Sequence, residues 1–197
     1  SHGISAIDRP TFARPVAMVR MPAEMYERGT PYDTIYEEYV VRNEIRNATG
    51  VAAAVSMVRR GRSTLLLVRR LAHGEEIAKR LSDALGFGVP FLSGQDDSLL
   101  RRNVLDDIRD GNLGCLVAST IADEGLDVKP LSGLVLLGGG RSSTRALQRV
   151  GRVLRPWRDK KNAEVVDFND NALHLLTHSM AREKIYGSEP EFTLLDV

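Results

Sequence analysis

Short, nearly unbroken apolar runs punctuate the second two-thirds of the chain at residues 63–71, 89–92, 113–119, 131–137 and 163–168. Each has the length of a strand and is rich in Leu, Val or Ile. Between them lie segments whose apolar residues recur at helical spacing. These run from His73 to Leu85, closed by Gly86; from Ser98 to Arg109, stopped at Gly111; from Ser143 to Leu154, ended before Pro156; and from Asn171 to Tyr186. Strands that are apolar on both faces are those a parallel sheet buries, whereas a one-sided antiparallel sheet alternates apolar with polar positions. The pattern therefore predicts an α/β fold, an open, mostly parallel sheet flanked by helices.

Upstream, Arg14 to Pro22 holds a short apolar run between prolines and reads as a strand, and residues 23–32 pass through Gly and Pro as a loop. Asp33 is a candidate N-cap for a helix from Thr34 to Arg60, in which Tyr36, Val40, Ile45, Ala52, Val55 and Val58 recur at helical spacing. Gly50 is expected to interrupt that helix or to join two. Phe192 to Val197 fits either a last edge strand or a frayed tail. The division expected is an N-terminal strand and helical extension at 1–60, the main domain at 61–187 and a tail or edge strand at 188–197.

Composition narrows the class. With 197 residues, 43% hydrophobic and 27% charged, the chain suits one globular domain and is too apolar for disorder. The single cysteine, Cys115, allows neither an internal disulfide nor a cysteine-based zinc site, which favours a reducing compartment. No apolar run approaches the roughly 20 residues that cross a bilayer, and no secretory signal pattern opens the chain, so a cytoplasmic protein without a membrane partner is expected. Ser1-His2-Gly3 resembles a cloning remnant and, without an initiator Met, is what a piece of a longer protein would show. A net charge of +1 announces no nucleic-acid partner, so any such partner must be argued from local patches.

Chemistry in open parallel sheets gathers on loops at the carboxyl ends of the strands. A nucleotide hydrolase working alone would need G-x-x-x-x-G-K-[ST], and the chain has no Gly-Lys pair. Gly138-Gly139-Gly140 is accordingly read as a flexible turn. Asp123-Glu124 lies several residues past the apolar end of its strand, too far for a metal-binding pair there. No cluster has metal-ligand spacing, and His73, His174 and His178 read as surface or helix-face residues.

The segment from Ser143 to Arg155 has two faces. Leu147, Val150, Gly151 and Leu154 form a stripe suited to the sheet; Gln148, Arg152 and Arg155 form another. From Arg141 to Lys161 there are eight Arg or Lys against the single Asp159. Guanidinium groups bind phosphate bidentately, so two of them one turn apart offer several donors to a polyphosphate; taken alone they would be a solvated basic face. The strand ending at Ser119 leads into Thr120-Ile-Ala-Asp-Glu-Gly-Leu-Asp127, whose hydroxyls and amides suit a phosphate and whose Asp127 suits a ribose hydroxyl. Upstream, Leu92-Ser-Gly94 closes a strand ahead of a helix carrying Arg101 and Arg102.

This series resembles motifs IV to VI of the second RecA-like domain of superfamily 2 helicases and translocases, over roughly Gly61 to Phe168. Gln148-Arg-Val-Gly-Arg-Val-Leu-Arg155 is similar to motif VI, Ser119 to Asp127 to motif V, Ser93-Gly94 with Arg101 to the motif between IV and V, and Leu65-Leu-Leu-Val68 to motif IV. Gln148, where DEAD-box proteins carry His, and Glu124-Gly125 bring it nearer the DEAH-like and XPB-like DNA helicases, including phage-type ones. Leu154 stands where the DEAD-box ending has Gly.

The resemblance implies a P-loop NTPase-type helicase C-terminal domain that uses ATP with Mg²⁺, both held mainly by an N-terminal RecA-like partner domain. It makes Arg155 the main arginine finger, Arg152 its companion and Gln148 a contact to the γ-phosphate or attacking water. Gly125 and Asp127 would touch the ribose. Ser93, Gly94, Arg101, Ser119 and Thr120 would face the backbone of DNA, with RNA open; Arg69 and Arg70 are equally phosphate contacts or plain surface charge. A non-catalytic nucleic-acid-binding module on the same scaffold is the alternative.

Overall fold

The structure, a computed structural model, describes residues 12–119, 128–150 and 154–195. Seven strands form one sheet in the order β3-β4-β2-β5-β6-β1-β7, and every neighbouring pair is parallel. They are β1 (Arg14–Arg20), β2 (Ser63–Val68), β3 (Phe91–Leu92), β4 (Cys115–Ser119), β5 (Leu131–Leu136), β6 (Glu164–Asn169) and β7 (Phe192–Leu195). The helices are α1 (Tyr32–Tyr36), α2 (Glu44–Arg59), α3 (Leu71–Leu85), α4 (Ser98–Arg109), α5 (Gly140–Val150) and α6 (Leu175–Ser188).

Successive strand residues feed opposite faces. On β2, Leu65 and Leu67 join Leu116, Leu134, Leu136 and Val165 beneath α4 and α5, together with Tyr186 of α6. Leu66 and Val68 join Val117, Val135, Val166 and Phe168 beneath α1, α2 and α3. The chain moves in one direction along the sheet over the α1–α3 face, from β1 to β2 to β3, and returns over the α4–α6 face. Reversing both direction and face keeps the crossovers through the described helices of one hand, as βαβ units require.

Local signals explain the boundaries and correct three expectations. The first helix begins at Tyr32 after Pro31, so Asp33 lies inside its first turn and caps nothing. It continues as a π-helical turn over Glu37–Val41, and the chain breaks at Arg42 and Asn43, where the Asn43 side chain accepts the Arg46 amide at 3.1 Å and starts α2. Gly50 therefore interrupts nothing: it sits inside α2 where the backbone passes Leu137, and a Cβ there would stand 2.7 Å from the Leu137 Cδ1 atom. Asp97 caps α4 by accepting the Leu100 amide at 2.8 Å, and Gly86, at φ +78°, closes α3. The helix expected from Ser143 opens one turn earlier, at Gly140, and Phe192–Leu195 is an edge strand paired with β1.

Candidate functional site

At the carboxyl edge of the sheet the strand ends stand side by side in the order β3, β4, β2, β5. Leu92 pairs with Ala118, so Ser93 and Ser119 each come one residue past a matched pair; Ser119 is also the partner of Val68, which Arg69 and Arg70 follow. With about 4.8 Å between strands, four ends span roughly 14 Å of backbone termini and polar side chains. Ser119 is buried, and its hydroxyl has no partner among the described residues. Ser93 opens a tight turn in which its amide donates to Asp96 at 2.6 Å and its hydroxyl accepts from Gln95 at 3.2 Å, leaving the hydroxyl proton to give. Gly94 is exposed at the tip of that turn, and Arg101, partly buried, lies on the next helix. Arg69 is exposed, whereas Arg70 is tied to Glu37 at 2.5 Å and Asp33 at 3.2 Å over the Tyr36 ring. Arg70 is therefore paired within the domain, which neither of the two readings kept for it, phosphate contact or plain surface charge, includes.

The fourth strand end carries Gly138-Gly139-Gly140, and here the expected flexible turn is a held one. A Cβ at Gly138 would lie 3.2 Å from the Val68 backbone, and Gly139 and Gly140 take φ of +62° and +59°. Tyr36 donates to the Gly138 carbonyl, Arg46 to the Leu137 carbonyl, and Arg182 to the Gly140 carbonyl at 2.9 Å. Both arginines are fully buried and each is neutralised by a buried carboxylate: Arg46 bidentately by Asp170 at 2.9 and 3.0 Å, Arg182 by Asp167 at 2.8 Å. Tyr186 also donates to Asp167 at 2.8 Å, and burial, followed by the Asp167 charge, pushes its phenol well above the usual value. The start of α5 is thus fixed from both faces of the sheet. The signal for this was Asp167, a carboxylate inside the apolar strand Val165-Val-Asp-Phe168, which must find a partner if that strand is buried.

From the turn, α5 runs back across the sheet with Ala146 and Leu147 buried and Arg141, Arg145, Gln148 and Arg149 exposed. Gln148 thus lies on the solvent side. Leu154 is buried at 1% exposure, while Arg155 beside it is exposed. Leu154 and Arg155 stand in a turn ahead of Pro156, so of the expected helical stripe of Gln148, Arg152 and Arg155, Gln148 is helical and Arg155 is not. Thr120, Gly125 and Asp127, and Arg152 with Gly151, lie outside the described residues. An exposed guanidinium and an exposed amide at this end fit a polyphosphate. Among the described residues no group of three or more His, Cys, Asp or Glu could hold a metal, and no helix is long and apolar enough to cross a membrane.

His73 is not a surface residue. It is buried, its Nε2 lies 2.8 Å from the Asn47 Oδ1, and the Asn47 amide nitrogen donates to the Val41 carbonyl, so the Nε2 is the donor. Burial first, then the Arg46 charge, lowers its pKa to about 3.

Residues 48–156, more than half of the chain, match the helicase conserved C-terminal domain family. The putative DNA 3'-5' helicase Rad25 of Halobacterium salinarum is 38% identical over 93 residues, covering 47% of this chain and 14% of that protein. The DNA 3'-5' translocase XPB2 of Sulfurisphaera tokodaii is 36% identical over 91 residues, covering 46% and 19%. Putative helicase 22 of the Sulfolobus islandicus filamentous virus is 32% identical over 106 residues, covering 52% and 18%. The chain therefore spans less than a fifth of the length of these relatives. Among solved structures, T4 UvsW superposes with a TM-score of 0.70 at 20% identity, over 94% of this chain and 41% of that one. The E. coli DEAD-box protein SrmB gives 0.58 at 19% identity, over 96% and 92%. The fold is the RecA-like one of helicase C-terminal domains, and the chain belongs to the helicase conserved C-terminal domain family, with relatives named XPB2 and Rad25.

Proposed function

We propose that this chain is the second motor domain of an ATP-dependent DNA helicase or translocase, forming one wall of an inter-domain ATP site. The other wall, with the phosphate loop and the Mg²⁺-binding acids, would belong to an N-terminal RecA-like domain of the same protein. The observation that carries the reading is the family match over residues 48–156, which spans the strand-end edge and α5 and ends beside exposed Arg155. ATP with Mg²⁺ supplies the phosphoanhydride bond whose hydrolysis drives the motor. Arg155, with Arg152 as companion, stabilises charge developing at the γ-phosphate, Gln148 faces that phosphate or the attacking water, and Gly125 and Asp127 face the ribose. An arginine finger contributes a factor of about 10³ to 10⁵ in rate, or roughly 4 to 7 kcal/mol, so closing the cleft acts as the switch.

Ser93, Gly94, Arg101, Ser119 and Thr120 hold the nucleic-acid backbone along the carboxyl edge, and cleft opening and closing moves that grip along the strand. The names of the XPB2 and Rad25 relatives favour DNA as the track. Half of a nucleotide site has little affinity by itself, so the isolated chain should bind ATP only at millimolar concentration or not at all and should not hydrolyse it. Calorimetric titration checks this; micromolar ATP binding by the isolated chain would make it a nucleotide receptor and contradict the proposal.

A further inference from the structure

The amino edge of the sheet, the one opposite the strand ends discussed above, carries a cluster of cations. A groove of about 470 Å³ opens there between the residues that lead into β2, β5 and β6, and the segment 157–162 forms its rim. Six cations gather at it: Arg60, Arg62, Lys129, Arg158, Lys160 and Lys161, against Asp159 and Glu164. In a chain whose net charge is only +1, this is a local excess.

The groove is built, and its six cations outnumber the two carboxylates beside them. Glu164 is shared by Arg60, which grips it at 2.7 and 3.0 Å, and by Arg62 at 3.0 Å, so two guanidiniums line the wall against one carboxylate. Trp157 orders two more, with the Lys129 ammonium 4.7 Å and the Arg158 guanidinium 4.8 Å from its ring centre. The indole is spent on orienting cations, which serves backbone binding rather than base stacking.

Arg158 itself sits in a reverse turn closed by the Lys160 amide on the Trp157 carbonyl at 2.7 Å, and takes φ of +32°, a region that favours glycine. A strained arginine at a turn tip, where glycine would fit without cost, points to a use for its side chain. Lys160 is half-buried, its ammonium donates to the Lys129 carbonyl at 3.3 Å, and burial together with the Arg14 charge lowers its pKa to about 8. Apart from Pro130 the remaining wall is polar: the Ser63 and Ser132 residues, Asn162, and Gly61, beside whose α-carbon there is open space. Arginine, lysine, hydroxyls and open backbone are the donors that phosphate groups take, and the apolar residues of the lining are Pro130 and Trp157, whose ring is already engaged by two cations.

We propose that this groove is a second nucleic-acid contact, a site for the phosphodiester backbone on the edge of the sheet opposite the strand ends. It recognises charge and spacing, not sequence. It stands on geometry separate from the arginine-finger reading, so either can fail alone.

The test is fluorescence anisotropy of a labelled oligo-dT strand titrated with the whole 197-residue chain across a salt series. Two variants carry it. Lys129→Glu/Arg158→Glu/Lys161→Glu, all at exposed positions, should weaken binding at least tenfold at low salt and flatten the salt dependence by about 0.7 per lost phosphate contact. Arg158→Gly should raise or preserve the melting temperature while still weakening binding severalfold, which separates contact from folding. Arg69→Glu, at the carboxyl edge, reports on the other contact independently. No measurable binding by the wild-type chain at low salt would overturn the proposal. So would an unchanged affinity and salt slope in the triple variant, or competition by polyglutamate as effective as by DNA of equal charge.

Discussion

A buried histidine held neutral makes stability depend on pH in a window of its own. His73 in the unfolded chain titrates near 6.5, whereas in the fold burial keeps it unprotonated down to about 3. Between those values the unfolded state binds the extra proton, so stability is lost as pH falls from about 6.5, by up to about 1.4 kcal/mol per pH unit from this group. His178, partly exposed and shifted the same way, adds less. Glu44 and Glu164, lowered below their ordinary value of 4.5, withdraw their contribution only at lower pH, so the two windows separate. Urea midpoints measured from pH 7 to 5 should fall, and His73→Gln should flatten the slope whatever it does to the midpoint itself. Two glycines make a second contrast at this scale. A Cβ at Gly74 would stand 2.3 Å from the Phe91 ring between α3 and β3, while at Gly50 it meets only the end of the flexible Leu137 side chain. Gly74→Ala should cost about 1 to 3 kcal/mol by urea unfolding despite its better helix propensity, and Gly50→Ala should stay within about 1 kcal/mol of wild type.

Among the elements, α5 is the one whose placement matters most, and it is set by charges its own sequence does not contain. The Leu137–Gly140 turn is held by Arg46 of α2 and Arg182 of α6, each with its own buried carboxylate. Removing one partner of such a pair leaves an uncompensated charge, so Arg46→Met should cost about 3 to 5 kcal/mol by urea unfolding. Adding Asp170→Leu should recover much of that loss, because a matched apolar replacement strands no charge. Periodicity alone found the described strands and helices near their observed places, since a strand buried on both faces has little freedom to look like anything else. It missed what sequence distance hides. Arg46 and Asp170 are separated by 124 positions, His73 and Asn47 by 26, and nothing local marks them as partners. The helix break fell at Asn43 and not at Gly50 because capping by a side-chain oxygen favours a start more firmly than one glycine disfavours a middle.

Seen whole, the molecule is a parallel sheet with two chemically different edges. The carboxyl edge aligns Ser93, Ser119, Arg69 and the glycine turn across four adjacent strands. The amino edge carries the tryptophan-ordered cations. Helix α5 starts at the first of these and is a rigid rod of 11 residues, about 16 Å long, and the exposed Arg155 follows it in the sequence. The motif-level resemblance was legible because Gln148 to Arg155 lies contiguous in sequence, and the cation cluster was not, because Lys129, Arg60 and Arg158 converge from three connections. The central claim is that Arg155 completes a nucleotide site shared with a neighbouring domain, and the steady-state ATPase rate of the full-length protein carrying Arg155→Ala tests it most directly. The account predicts a loss of about 10³-fold or more in kcat with ATP still bound by the partner domain; hydrolysis continuing near the wild-type rate would contradict it.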